Sequence, residues 1–411
     1  MGRAVLGKRF WRFWSASLTS NLSDGIALIV LPWLATTVTD EAFWVGAVAA
    51  AGRLPWLIAA IPAGAFIDRF PLFQAMAAAS LGRALLWCGL GVAGLAGFLR
   101  LDVLLVAAFL FGLAEVCYDT AAVTAIPALV TRERLEAANG QFRTAEITAQ
   151  EFLGRPAGGF LLTLGVAPAL LVNAGICLLV PGLLAKLSAA ERGTRSAQSH
   201  PSPRGIGAGV ATIWKSPLLR RLVAVTMVFN VAYATILSTQ VLFAQTTLGL
   251  GSAQFGLLMM STAAGGVAGG QLSGRISRCL PSGWLPVTSL ATAGACYLVV
   301  AAAPFVAVAA AMFFVSSAAV LLYSVSVSSL RQRVTPPAVL GRVNAAAGTA
   351  SWGVAALGMM LGGALVSIAE GWLPTSDALR LPYLFTAAVV LVLVGTLGPA
   401  ITRLSARVDP A

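Results

Sequence analysis

Long apolar stretches alternate with short polar ones from one end of the chain to the other. Twelve of them are about 20 residues or longer, enough to cross a bilayer as a helix. They fall near 12–36, 43–67, 74–98, 103–130, 141–165, 166–189, 220–246, 253–275, 284–303, 305–330, 343–369 and 381–402. This pattern predicts an all-α integral membrane protein with twelve transmembrane helices. The run after Lys8, Arg9 and Arg12 continues for a full span, as expected of a retained first helix rather than a cleaved leader.

The polar stretches set the orientation, because lysine and arginine collect on the cytoplasmic side of a membrane. One set of loops and ends holds Arg3, Lys8, Arg9, Arg12, Arg69, Arg132, Arg134, Arg143, the segment from Lys186 to Arg221, Arg275, Arg278, Arg331, Arg333, Arg342, Arg403 and Arg407. The other holds Asp40, Glu41, Arg100, Asp102, Glu370, Asp377 and Arg380. The bias alternates across all twelve spans and predicts cytoplasmic termini.

The longest polar stretch, Ala189 to Ser216, is rich in Arg, Ser and Pro and reads as a flexible linker. It divides the chain into an N-terminal six-helix bundle (1–189), a cytoplasmic linker (190–218) and a C-terminal six-helix bundle (219–411). The halves resemble one another. Gly64 to Arg69, after the second span, matches Gly270 to Arg275 after the eighth, and Val130-Thr131 followed by Asn139 matches Val334-Thr335 followed by Asn344. Two parallel six-helix repeats are a transporter architecture.

Composition narrows the class. The chain has 411 residues, 58% apolar and 10% charged, where a soluble protein carries about 25% charge. Its net charge of +12 sits in the loops, as topology requires, which argues against a nucleic-acid partner. The five cysteines form no CxxC pair, and the single histidine, His200, lies in the linker, so no disulfide, metal site or histidine relay is expected. No phosphate-binding loop is present for direct ATP drive. An intramembrane aspartyl protease would need a second aspartate to join Tyr118-Asp119, and Gly249-Leu250-Gly251-Ser252 offers serine instead.

Several motifs carry a family resemblance. Gly64-Ala-Phe-Ile-Asp68-Arg69 resembles the loop between helices two and three of the major facilitator superfamily, with Phe70-Pro71-Leu72-Phe73 replacing the further basic residues. Asn21-Leu-Ser-Asp24-Gly25, Arg53-Leu-Pro55, the Pro127 to Asn139 loop and Arg331-Gln332 through Gly341-Arg342-Val343-Asn344 resemble the branch containing bacterial macrolide-efflux and siderophore-export proteins. Gly154-Arg155-Pro156-Ala157-Gly158-Gly159 resembles the fifth-helix antiporter motif, with the proline one position late. The resemblance implies export of a small molecule by alternating access, driven by a proton gradient with no cofactor. It also implies a monomer in the bacterial cytoplasmic (inner) membrane. The alternatives are proton-coupled or facilitative uptake, and a receptor of the same fold that does not transport.

The candidate chemistry is concentrated in the first half. Placing a charge at mid-membrane costs about 2.5–3.5 kcal/mol, yet Asp24, Glu115, Asp119, Glu151 and Arg155 all fall in spans. These five are the proton-coupling candidates. Ser17, Asn21 and Asp24 share one face of the first helix at helical spacing, and Glu115 and Asp119 share one face of the fourth, where their repulsion favours a proton on one of them. Each has a structural alternative: Asp24 bonded to neighbouring helices, Glu115 or Asp119 paired with Arg53, Arg83 or Arg155, and Glu151 with Arg155 as a self-neutralising pair. Glu146 lies nearer the interface. The second half has no acidic residue inside a span. Its polar residues line a cavity or bond helix to helix; with Asn21 and Arg53, the cavity candidates are Asn230, Tyr233 and Tyr323. Asp68, Arg69, Arg331 and Arg342 are the gating candidates by resemblance. Gly154 with Gly158, and Gly266 with Gly270 and Gly274, are candidates for a sliding contact between helices five and eight or for packing within each half.

Overall fold

The structure is a computed structural model that describes residues 6–58, 70–131, 134–191, 204–280 and 283–406. Among these residues every regular element is a helix. The first half comprises α1 (Lys8–Val38), α2 (Ala42–Ile58), α3 (Leu72–Leu95), α4 (Leu101–Leu129), α5 (Leu135–Ile147), a π-helical stretch (Thr148–Gly154), α6 (Arg155–Thr163) and α7 (Val166–Glu191). Then come α8 (Arg204–Lys215), α9 (Pro217–Leu242) with a second π-helical stretch (Phe243–Thr247), α10 (Ser252–Cys279), α11 (Trp284–Ala302) and α12 (Val306–Val334). The chain closes with α13 (Pro337–Gly353), α14 (Ala355–Ala369), α15 (Thr375–Ala378) and α16 (Leu381–Ala406).

Within the described residues, each of the twelve apolar stretches falls on one of these helices or on a broken pair. Nine described segments are long and apolar enough to cross a membrane on their own. Of the other three expected spans, the second continues into residues outside the described ones, after Ile58. The fifth span is interrupted by the π-helical stretch. The eighth, α10, is rich in glycine and serine and carries Arg275 and Arg278. The π-helical stretch ends just before Pro156, which has no N–H to return to the carbonyl of Phe152. The eleventh span is also broken, at Val354 between α13 and α14.

The chain forms two compact units. The first is Met1–Asp40, Ala51–His200 and Ser252–Leu257, and the second is Glu41–Ala50, Pro201–Gly251 and Leu258–Ala411. Their internal pairings correspond helix by helix. In the first unit α1 packs on α7, α3 on α7, α3 on α4, and α1 on the π-helical stretch and α6. In the second α9 packs on α16, α11 on α16, α11 on α12, and α9 on α14. The fourth and tenth spans, α4 and α12, are each 29 residues long. The repeat read from two loop motifs therefore extends to the packing order.

Lipid is as apolar as the side chains it surrounds, so close packing holds such bundles together. The first core gathers Phe10, Phe13, Met76, Tyr118 and Leu184, with Phe13 stacked on Phe142 at 5.7 Å between ring centroids. Gly25 lets α1 lie directly against the backbone of Gln150; any side chain there would meet the Gln150 carbonyl. Gly154 faces Gly25 and Leu22, and Gly158 faces Ile26 and Ile29, so this glycine face packs α1 inside its own unit. On α10, Gly266 and Gly270 meet Ser317 and Leu321 of α12, again within one unit. Packing within each unit accounts for Gly154, Gly158, Gly266 and Gly270, while a methyl at Gly274 would meet nothing within 4 Å. Where the fifth and eighth spans do touch, inside the first unit, Gly159 meets Ser252 and Gly256.

The linker expectation needs one correction. Its C-terminal part is helix α8, bounded by Pro203 before it and Pro217 after it. Ile213 anchors α8 in a small core with Leu219, Val343, Ala346 and Ala347.

Candidate functional site

Helix α4 places Glu115, Tyr118 and Asp119 within little more than one turn, and its neighbours supply the countercharges. Arg83 of α3 is buried, its side chain 3% exposed, and forms an ion pair with Asp24 of α1. The same guanidinium donates to Ser20 Oγ at 2.6 Å and lies 5.0 Å from the centre of the Tyr118 ring. Ser20 and Asp24 are one helical turn apart, so α1 offers Arg83 a hydroxyl and a carboxylate together, while the ring supplies a cation–π face. Such an arrangement satisfies a charge that would otherwise be costly inside a membrane.

The second pair is looser. Arg53 Nη1 of α2 stands 3.3 Å from Glu115 Oε1, with both side chains about one-fifth to one-quarter exposed (24% and 21%). Asp119 is half-buried. Among the described residues it forms no hydrogen bond and no ion pair, although Glu115, Asp24 and Arg83 are near enough to act on it electrostatically. Two arginines thus face three carboxylates, and Asp119 is the one left over.

The remaining candidates of this unit are internally matched. Arg155 Nη2 donates to Glu151 Oε1 at 2.9 Å, one turn along the broken fifth span. Arg143 donates to both oxygens of Glu146 at 2.6 Å, with Arg143 at 71% exposure. Asn21 is buried and donates to the Ser17 carbonyl at 2.8 Å.

The second unit uses aromatic rings and hydroxyls instead. Tyr233 of α9 is half-buried and stacked between Phe229, 5.8 Å away at 8°, and Tyr297 of α11, 6.1 Å away. Tyr323 of α12 is buried and its hydroxyl shares a 2.7 Å hydrogen bond with Thr226 Oγ1. Asn230 donates to the Ser351 carbonyl at 2.9 Å. Thr386 of α16 donates to the Ala232 carbonyl at 2.7 Å, tying α16 to α9.

Of the gating candidates, Asp68 and Arg69 lie outside the described residues. Arg342 is exposed near the start of α13. Arg331, half-buried near the end of α12, has no described partner for its Nε and lines a small cavity with Thr226, Val327 and Ser351.

The sequence named Arg53, Arg83 and Arg155 as available cations for Glu115 or Asp119 and offered Arg155 to Glu151 as a self-neutralising pair, but it assigned neither Arg53 nor Arg83. The structure gives Arg53 to Glu115, Arg83 to Asp24 and Arg155 to Glu151. It also brings in Ser20 and Tyr118, which had no assigned role. Their signal was present: Ser20 is one turn before Asp24, and Tyr118 adjoins Asp119.

With this arrangement in view, similarity to known proteins is informative. Residues 13–359 match the Major Facilitator Superfamily. The multidrug efflux pump Tap of Mycolicibacterium fortuitum is 27% identical over 387 residues, covering 92% of this chain and 94% of that protein. Among solved structures, a bacterial homologue of the iron transporter ferroportin superposes with a TM-score of 0.77 at 14% identity, covering 96% of this chain and 98% of that one. A bacterial homologue of the human lysosomal transporter Spinster gives 0.73 at 16% identity, covering 98% of both chains. The helical fold, the six-and-six repeat and the family match agree: this chain belongs to the major facilitator superfamily of multi-pass membrane transporters.

Proposed function

We propose that the protein exports a small molecule across the bacterial cytoplasmic membrane in exchange for protons, with Asp119 as the proton carrier. The observation that carries this reading is the carboxylate of Asp119, unpaired among the described residues, beside two neutralised pairs. One proton on Asp119 makes the cluster electrically neutral, and its release leaves one negative charge within the bundle. That difference is what a proton gradient needs in order to bias one arrangement over another. In this reading Asp24 and Glu115 are the fixed anions that hold Arg83 and Arg53. Export is favoured by the motifs shared with macrolide-efflux and siderophore-export proteins and by the similarity to an efflux pump. The substrate is sought among macrolides, siderophores and other drugs, and the antibiotic-resistance role is part of the same proposal.

The test uses the purified full chain in proteoliposomes, a panel containing a macrolide, a siderophore and a lipophilic cation, and an imposed pH gradient. Asp119→Asn is expected to lose gradient-driven accumulation at least tenfold while still exchanging labelled for unlabelled substrate at equilibrium. Glu151→Gln is expected to keep most of the drive. Undiminished accumulation by Asp119→Asn overturns the assignment. Accumulation by the wild-type chain that ignores the gradient overturns proton antiport altogether.

A further inference from the structure

Helix α8 is not used by any of the chemistry above, and its two sides differ sharply. One side is fastened: Ile213 packs on Leu219 of α9 and on Val343, Ala346 and Ala347 of α13. The opposite side is open. Trp214 is 65% exposed and Val210 40% exposed, and Ala211 is exposed between them. Positions 210, 211 and 214 share one face of a helix, so this is a continuous apolar strip ending in an indole. Basic groups frame it. Lys215 is exposed, and the guanidinium of the exposed Arg220 lies 6.0 Å from the centre of the Trp214 ring.

Three features say what covers this strip. The first is position: one residue, Ser216, separates α8 from the membrane span that starts at Pro217, and its hydroxyl caps that span through Leu219 N–H. The strip is therefore held at the level where a span meets water. The second is chemistry: tryptophan beside lysine and arginine is the composition of helices that lie in the headgroup layer. The third is sign: the sequence contains no acidic residue from 192 through 369, so nothing within this stretch offsets Lys215, Arg220 and Arg221. By the lysine and arginine bias of the loops, this end faces the cytoplasm, where the leaflet carries anionic lipid.

We infer that α8 is an interfacial helix that binds anionic phospholipid headgroups of the cytoplasmic leaflet through Trp214, Lys215 and Arg220. Through Ile213 it fastens the start of the eleventh span, α13, to that lipid layer. Lipid composition then acts on the helix that leads into the broken eleventh span. This does not depend on the export reading, because its readout is lipid rather than transport.

The experiment titrates the detergent-purified full chain with phosphatidylglycerol or phosphatidylcholine and counts bound lipids by native mass spectrometry. Phosphatidylglycerol binding is expected to weaken about fivefold for each charge removed in Lys215→Gln and Arg220→Gln, with phosphatidylcholine binding unchanged. A nitroxide at Ala211→Cys, in a Cys279→Ser background and compared with that background alone, reports the otherwise unaltered helix in vesicles. It is expected to be shielded from an aqueous quencher when the vesicles contain phosphatidylglycerol. Wild-type phosphatidylglycerol binding by a folded Lys215→Gln/Arg220→Gln variant overturns the proposal. Equal shielding in both lipids leaves insertion without headgroup recognition and also overturns it. A nitroxide that stays water-accessible in both overturns it.

Discussion

The two units pair their helices in the same order but spend their interiors differently. In the first, α1, α2, α3 and α4 meet through ion pairs, Asp24 with Arg83 and Glu115 with Arg53, and one carboxylate is left unmatched among the described residues. In the second, α9, α11, α12 and α16 meet through stacked rings and hydroxyls: Phe229, Tyr233 and Tyr297, Thr226 with Tyr323, Thr386 with the Ala232 carbonyl. The topology therefore does not require charge, because one copy of it holds without any internal acid. Charge within the first copy must be explained by what it does. A buried ion pair costs desolvation and often returns little net stability. Its retention beside a carboxylate unmatched among the described residues is what a charge-moving half would need, while the aromatic half is held by ring packing and hydroxyl bonds.

The comparison breaks first at Arg83. Arg83→Ala leaves the largely enclosed Asp24 without its partner and is expected to destabilise the detergent-solubilised protein by about 3–5 kcal/mol, read as a large drop in Tm and yield. The double variant Arg83→Met/Asp24→Leu is expected to recover much of that loss, because replacing both charges removes the uncompensated one. If the double variant is no better than the single, the pair holds the fold by more than charge balance, and the contrast between the units fails.

Gly25 sharpens the comparison at the level of the backbone. Gly25→Ala pushes a methyl into the Gln150 carbonyl and is expected to cost about 1–3 kcal/mol by overpacking. The same cost is expected of Gly362→Ala in the second unit, where the methyl would meet Thr235 and Ser238. Equal losses in thermal melts say that the glycine contacts belong to the shared framework rather than to the charged half.

The smallest effect is predicted at Tyr323. Tyr323→Phe removes a neutral hydrogen bond to Thr226 and is expected to cost about 1 kcal/mol, with the response of transport to the pH gradient unchanged. A change in that response would place proton chemistry in the second unit as well.

Much of the fold is legible in the sequence because a bilayer leaves few choices. A stretch of about 20 apolar residues must satisfy its backbone internally, and a helix is the simplest way to do so. The twelve spans, their alternation and the six-and-six repeat follow from apolar length, basic loops and duplicated loop motifs. The breaks are less visible. Pro156 marks the fifth span in sequence, but only the backbone shows a π-helical stretch before it. Helix α8 was hidden by the proline-, serine- and arginine-rich stretch before it, and its packing through Ile213 acquires meaning only against Val343, more than a hundred residues away.

The site divides in the same way. The sequence by itself determined that the charges lie in the first half, that Asp24, Glu115 and Asp119 sit on helices one and four, and that Arg53, Arg83 and Arg155 are the cations within reach. It determined this because helical spacing and the cost of a charge in lipid are local properties. Which cation meets which anion is not local. It depends on the rotation and depth of α1, α2, α3 and α4 against one another, set by contacts such as Gly25 on Gln150 and Tyr118 beneath Arg83. Only the tertiary structure decided that Arg83 belongs to Asp24 and Arg53 to Glu115, and that Asp119 is the carboxylate left without a partner among the described residues.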